Sequence, residues 1–300
     1  MITYNHEKFI AEAIEGVLMQ ETSFPIELVI GDDCSTDRTG AIAKSFQEKY
    51  PDKIRILERN SNLGMKRNFA DTLTNCRGKF IALCEGDDYW TDPGKLQKQV
   101  SILEDDERLV MCCHADRVLS EDGKIVKRLL AAREVQFEDI LEMYRRREYL
   151  PTMSWVFKNQ PKLLEPEAIR DNLFDITLLL LLASKGSIRI MSDIMAVYRV
   201  HSTSYTNSGD NLRKQIMVID ALEKAKAFFN PRGEKEFDKF LAPYYADAMF
   251  LSYSKGHHSK FRDLYLMSKH LFKYLPFRTL VAIRWRNVLS ASTRRVTIIM

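Results

Sequence analysis

The stretch Ile81-Ala82-Leu83-Cys84-Glu85-Gly86-Asp87-Asp88-Tyr89-Trp90 decides the reading of this chain. An apolar run of strand length ends in three acids within four residues, followed by two aromatics and, at Asp92-Pro93, the start of a helix. Carboxylates this close repel one another, and keeping all three ionised costs free energy unless a cation or hydrogen-bond donors compensate. Hard oxygen donors at a strand end suit Mg²⁺ or Mn²⁺ shared with substrate phosphates. A plain acidic turn capping the next helix accounts for Asp92 but leaves the cluster before it unexplained. Open α/β sheets bind their ligands at the carboxyl ends of strands, which is where the cluster falls.

Working back from it, Lys79 to Cys84 is read as the strand that delivers the acids, Arg67 to Leu73 as a helix and Ile54 to Leu57 as a strand. A helix from Thr36 or Asp37 to Lys49 follows the short buried strand Ile26 to Ile30. Helical spacing also runs through Phe9, Ala13, Ile14, Val17 and Leu18. Alternating strands and helices predict α/β architecture with a mainly parallel sheet and sites at its strand ends.

Forward from the cluster, a helix over Gly94–Asp105 leads to a strand at Leu109–His114 and a turn at Glu121-Asp122-Gly123. Regularity then weakens, with a helix expected at Phe137–Arg146, a strand at Thr152–Phe157, a helix at Ile176–Lys185, and strands near Ile188–Met191 and Met195–Val200. From Asp210 the pattern is helical only, so a boundary is placed near residue 208.

A chain of 300 residues with 45% hydrophobic content can bury a sizeable core. Its net charge of +4 does not by itself argue for nucleic acid. The cations are unevenly placed: from Lys260 onward nine Lys and Arg face a single acid, Asp263. That end asks for an anionic partner. The five cysteines lie in the first 113 residues without a C-x-x-C pair, and with no signal peptide visible they read as reduced thiols of a cytoplasmic protein. The longest apolar run, Leu178 to Ala183, is too short to span a bilayer.

A second acidic group, Asp32, Asp33 and Asp37, ends another strand. Ser35, Thr36 and Asp37 are read as caps of the next helix, which leaves Asp32 and Asp33 for a base N–H or a ribose hydroxyl. The phrase Asn62-Leu63-Gly64-Met65-Lys66-Arg67-Asn68 joins a Gly turn, two cations and a helix start, either an anion site or an ordinary turn. Tyr4 either stacks on a base or belongs to the core. Asp175, at the start of an apolar helix, either caps it or serves as a general base. His201 is a candidate metal ligand or phosphate donor, and His6, His114, His257, His258 and His270 are assigned structural roles.

Taken in order, Met1-Ile2-Thr3-Tyr4-Asn5, Gly31 to Asp37, Asn60 to Asn68, Glu85 to Trp90 with Asp92-Pro93, and Tyr198 to Ser204 resemble the family-2 glycosyltransferases of the GT-A fold. The resemblance covers roughly residues 1–205. It implies a catalytic domain over 1–208 with a helical, basic extension over 209–300. It also implies a nucleotide-sugar donor, Mn²⁺ or Mg²⁺ at the acidic motif, and inverting transfer to a glycan or lipid-linked acceptor in cell-surface glycan synthesis. Residue by residue, Tyr4, Asp32, Asp33, Asn68, Glu85 and Asp87 would bind the nucleotide sugar. Asp87, Asp88 and His201 would hold the metal, and Asp175 would be the catalytic base, with the family's usual acidic pair reduced to one acid. His201 and Ser204 match the closing H-x-x-S phrase. The family's first strand is longer than Met1-Ile2-Thr3, so the native chain is expected to start upstream. A sugar-nucleotide pyrophosphorylase would need a Gly-rich loop where Asn5-His6-Glu7 stands, and a non-catalytic nucleotide-binding module would bind the diphosphate without releasing it. Leu264, Leu266, Leu271, Phe272, Tyr274 and Leu275, among the tail's cations, either pack a helical subdomain or rest peripherally on the inner face of a membrane.

Overall fold

The computed structural model describes residues 1–127, 134–137, 150–160, 175–202, 211–226 and 234–292. Two compact units emerge, Met1–Ser208 and Gly209–Met300. Ser204, Asn172 to Phe174 and most of the helix expected at Phe137–Arg146 lie outside the described residues.

In the first unit, β1 (Ile2–Thr3), β2 (Leu28–Asp32) and β3 (Ile54–Ile56) form a parallel sheet. Helix α1 (Ile10–Leu18) buries Ile10, Ala13, Ile14 and Val17, the face that helical spacing predicts. Gly16 on that helix lets it approach Trp90, because a Cβ there would lie 2.9 Å from the Trp90 amide nitrogen. Helices α2 (Thr39–Lys49) and α3 (Met65–Thr74) follow β2 and β3 in turn.

The second sheet is built from β4 (Phe80–Ala82), β5 (Tyr89–Trp90), β6 (Leu109–Ser120), β7 (Ile125–Lys127), β8 (Val135–Phe137), β9 (Val156–Lys158) and β10 (Ser187–Val200). Its central order is β4-β9-β6-β10-β5, and only β6 and β10 run parallel there. The mainly parallel sheet expected from the alternating pattern is therefore corrected to a mixed one. In that sheet β9 runs antiparallel to both β4 and β6, and β5 and β8 run antiparallel to β10. Helix α4 (Lys95–Asp105) packs on β6, and α5 (Asp175–Ala183) buries Thr177 through Leu182.

Three local differences have clear causes. β6 runs on past His114 because Ala115, Asp116 and Val118 are also fully buried, although Asp116 breaks the apolar run. The two strands expected at 188–191 and 195–200 are one, with register shifts against β6 between Met191 and Ala196. That interruption is polar in sequence, and a β-bulge absorbs it. Val135–Phe137 is a strand on β10, where the sequence suggested that Phe137 begins a helix.

The core forms two clusters, one around Trp155, Leu178 and Ile190, the other around Ile14, Trp90, Leu103 and Met153. Between β2 and β4, beside the short β1, lies a cavity of about 720 Å³ lined by Met1, Leu28, Val29, Phe80, Ala82 and Trp90. All five cysteines are unpaired.

The second unit consists of α6 (Asn211–Lys226), α7 (Glu234–Ser254), α8 (His258–Met267), a 3-10 turn at Lys269–Tyr274 and α9 (Phe277–Ser292). Among the described residues no helix is long and apolar enough to cross a membrane.

Candidate active site

Strand β1 is where the two acidic loops meet. The Asp33 amide donates to the carbonyl of Thr3 at 3.0 Å, and the Gly86 amide donates to the carbonyl of Ile2 at 2.9 Å. The loop after β2 and the loop after β4 thus flank the same two-residue strand. Gly86 is required there, since a Cβ would fall 2.5 Å from Thr3 Oγ1.

The loops are fixed by their own polar groups. Asp32 Oδ1 accepts from the Ser35 amide at 3.2 Å, and Asp37 accepts from the amides of Glu7 and of Thr39, the first residue of α2, whereas Ser35 and Thr36, also read as caps, donate to Asp32 and Asn5 instead. Asp33 is buried, and its two carboxylate oxygens accept from the amides of Leu63 (2.6 Å) and Gly64 (2.9 Å). It therefore holds the Asn60–Gly64 turn against the end of β2, while each oxygen retains a further lone pair. Asn68 is 2% exposed, donating to the Gly31 carbonyl at 2.8 Å and accepting from Arg59 Nη2 at 3.2 Å. These bonds make it an internal brace between the end of β2 and Arg59. Tyr4 is exposed.

In the acidic motif the three carboxyls have different surroundings. Asp87 Oδ2 lies 3.2 Å from His201 Nε2 and 3.8 Å from His6 Nε2. Burial pushes the Asp87 carboxyl up, but the His201 hydrogen bond and the charge of His6 outweigh it and hold the group below its ordinary value. Asp88 is 2% exposed and Oδ1 accepts the Arg199 amide at 2.8 Å, so its carboxyl is tied to β10. Burial, with Asp87 and Glu85 adding repulsion, raises Asp88 well above the carboxylate range. Glu85 is raised to about 7, first by burial and then by the charges of Asp87 and Asp175, against a hydrogen bond with Thr152. Its Oε2 is buried with no partner among the described residues.

The contribution of Asp175 to Glu85 brings the start of α5 within electrostatic reach of this cluster. Asp175 Oδ1 accepts from the Ile176 amide at 2.7 Å. The residue has an open side, yet the protein around its carboxyl pushes the group above its ordinary value, opposed by that amide.

Two members of the site were not read from sequence. His6, assigned a structural role there, stands beside Asp87 and accepts or donates at Nδ1 with Thr3 Oγ1 at 3.2 Å. Its only sequence signal is its place in the loop that follows the first strand, three residues after Thr3. Arg199 donates from Nη1 to the Asp87 carbonyl at 2.8 Å, pairs with Glu12 on α1, and lies over the Tyr89 ring at 4.2 Å.

Among the described residues no three His, Cys, Asp or Glu side chains are already arranged around a metal position. The donor types nonetheless fit one. Asp87 and His201 converge, and the unpartnered Glu85 Oε2 is a buried acceptor awaiting a donor or cation.

This architecture is that of the GT-A class, and its solved relatives include TarS of Staphylococcus aureus. The TarS 1–349 crystal structure with UDP-GlcNAc matches with a TM-score of 0.67 at 18% identity, covering 96% of this chain and 87% of that one. A mannosyltransferase from Pyrobaculum calidifontis, solved with GDP-Man and Mn²⁺, matches at 0.52 and 19% identity over 97% and 84% of the two chains. Residues 1–171 match the family described as Glycosyl transferase family 2, and the chain belongs to that family. An uncharacterised protein of Mycobacterium tuberculosis (strain ATCC 25618 / H37Rv) is 36% identical over 223 residues, 71% of this chain and 61% of the relative.

Proposed function

We propose that this chain transfers a sugar from a nucleotide-diphosphate donor to an acceptor hydroxyl, with inversion, in the synthesis of a cell-surface glycan. The observation that carries the reading is the meeting of the Asp33 and Gly86 loops on β1, beside the Asp87–His201 pair. The ligands in the solved relatives, UDP-GlcNAc in one and GDP-Man with Mn²⁺ in the other, support a nucleotide-sugar donor and a divalent ion. TarS is named a poly(ribitol-phosphate) β-N-acetylglucosaminyltransferase, which supports a surface polymer or lipid-linked glycan as acceptor class.

In this proposal Tyr4 stacks on the base, and Asp33, with Asp32 beside it, accepts from the nucleoside while keeping the 60–64 turn in place. Asp87 and His201 hold Mn²⁺ or Mg²⁺, which when bound neutralises charge on the leaving diphosphate. Asp88 sets the direction of that loop from below, through Arg199. Glu85, its carboxyl raised by burial, meets the sugar hydroxyls as donor or acceptor. Asp175 takes the acceptor's hydroxyl proton as the acceptor oxygen bonds to the anomeric carbon. The bond from that carbon to the diphosphate breaks with its electron pair leaving on the nucleotide.

The test is nucleotide release from a panel of UDP- and GDP-sugars with Mn²⁺ or Mg²⁺, with and without chelator. Asp175→Asn is expected to remove turnover while donor binding stays nearly intact. Nucleotide binding with no release from any donor would favour a binding module, and full activity in Asp175→Asn would remove that residue from the mechanism.

A further inference from the structure

Helix α9 carries apolar side chains on two opposite sides. On one, Ile283 is fully buried, and the Arg286 guanidinium lies over the rings of Phe250 at 4.9 Å and Tyr253 at 5.4 Å, so this side belongs to the helical unit's own core. On the other, Phe277, Val281 and Trp285 are 79%, 41% and 66% exposed. Spaced four apart, they fall within an arc of about 80° on a helix of 3.6 residues per turn. Arg284 and Arg278, both exposed, border that arc on its two edges.

The apolar residues named from the sequence are mostly not the ones available. Leu264, Leu271, Phe272 and Leu275 are buried and hold the helical unit together, whereas Leu266 and Met267 at the end of α8 are 55% and 61% exposed. Single exposed apolar side chains need no explanation, but an ordered stripe does.

We infer that the Phe277–Val281–Trp285 face of α9 lies on an anionic lipid surface. Charge selects this occupant: between His258 and Arg286 seven Lys and Arg stand against one acid, Asp263. Arginines at both borders of an aromatic stripe are the pattern of a helix lying in the interface plane, where rings enter the headgroup boundary and cations meet lipid phosphates. A peripheral contact also agrees with the absence, among the described residues, of a helix able to span a bilayer. The inference stands on the second unit alone and does not depend on the catalytic reading.

The full chain supplies its own probe. Of its three tryptophans, Trp90 and Trp155 are buried and Trp285 is exposed. With phosphatidylcholine vesicles containing phosphatidylglycerol, the protein is expected to float with the vesicles, and its emission to shift to the blue with Trp285 quenched by brominated acyl chains. With phosphatidylcholine alone, or at high salt, both responses should weaken. The variant Phe277→Ser/Val281→Ser/Trp285→Ser should lose about tenfold or more in partitioning with its circular dichroism unchanged. Arg278→Glu/Arg284→Glu, which leaves the stripe intact, should lose binding to the anionic vesicles only. No flotation with anionic vesicles, equal flotation of the triple variant, or a wild-type oligomer that the triple variant converts to monomer would overturn the inference, the last by assigning the stripe to self-association.

Discussion

The main-chain amide of Arg199 donates to Asp88 Oδ1 across 2.8 Å, joining residues 111 positions apart in sequence. Through this bond the strand that presents His201 and the loop that presents Asp87 are one rigid unit. The Arg199 side chain adds two further ties, to the Asp87 carbonyl and to Glu12.

Arg199→Met should therefore keep the backbone bond to Asp88 but release the loop's other anchors. Hydrogen bonds to charged groups contribute about 1.5–3 kcal/mol to stability, so the thermal midpoint should fall, and as with other supporting partners kcat should drop roughly 10–100-fold with a higher Mn²⁺ requirement. Arg199→Lys should recover part of it. Steady-state kinetics across a metal titration check this, and an unchanged metal requirement would make Arg199 merely structural.

Asp87→Asn removes the carboxylate that faces both His201 and His6. With Asp87 as the metal ligand proposed above, the loss should exceed the roughly 10–100-fold typical of losing a supporting partner. Manganese binding followed by electron paramagnetic resonance should accordingly drop by more than about a hundredfold. Chelator should abolish the wild-type turnover, and added Mn²⁺ should restore it.

Gly86→Ala would place a methyl 2.5 Å from Thr3 Oγ1 and 3.1 Å from His6 Nδ1. Overpacking of this kind costs about 1–3 kcal/mol. A lowered denaturation midpoint together with lost activity is expected, because the clash separates β1 from the acidic loop. A midpoint equal to wild type would show that the loop has room to move.

Lys95 is fully buried, with Nζ donating to Gln99 Oε1 at 2.8 Å and lying 4.1 Å from the centre of the Trp90 ring. Burial lowers its amine from 10.5 to about 7. Between those values the unfolded chain binds more protons, so this residue makes stability rise with pH from about 7 to 10.5, and the full penalty applies below 7. The shift corresponds to roughly 5 kcal/mol at about 1.36 kcal/mol per unit. Leaving Gln99 Oε1 without its donor would subtract about 1–3 kcal/mol. Lys95→Met should thus be more stable than wild type by about 2 kcal/mol near neutrality and less stable above pH 10.5. Denaturant titrations at both ends of this range decide it, and a gain independent of pH would mean that Lys95 is not neutralised by folding.

The sequence determined the α/β class, the acidic loops after two strands, the helix start at Asp175 and the cationic imbalance of the last helices. Each is a local pattern, set by hydrophobic period, by capping chemistry or by charge along a few residues. Only the tertiary structure decided that Asp88 turns into the protein while Asp87 meets two imidazoles, and that Asn68 is a brace. It alone brought His6 and Arg199 to the site, and it chose Phe277, Val281 and Trp285 as the apolar residues left outside. Those outcomes depend on which neighbour a side chain meets after distant segments pair. Strand β10 pairs with both β6 and β5, each distant in sequence, in a mixed sheet, a choice made by packing rather than by anything in the local sequence.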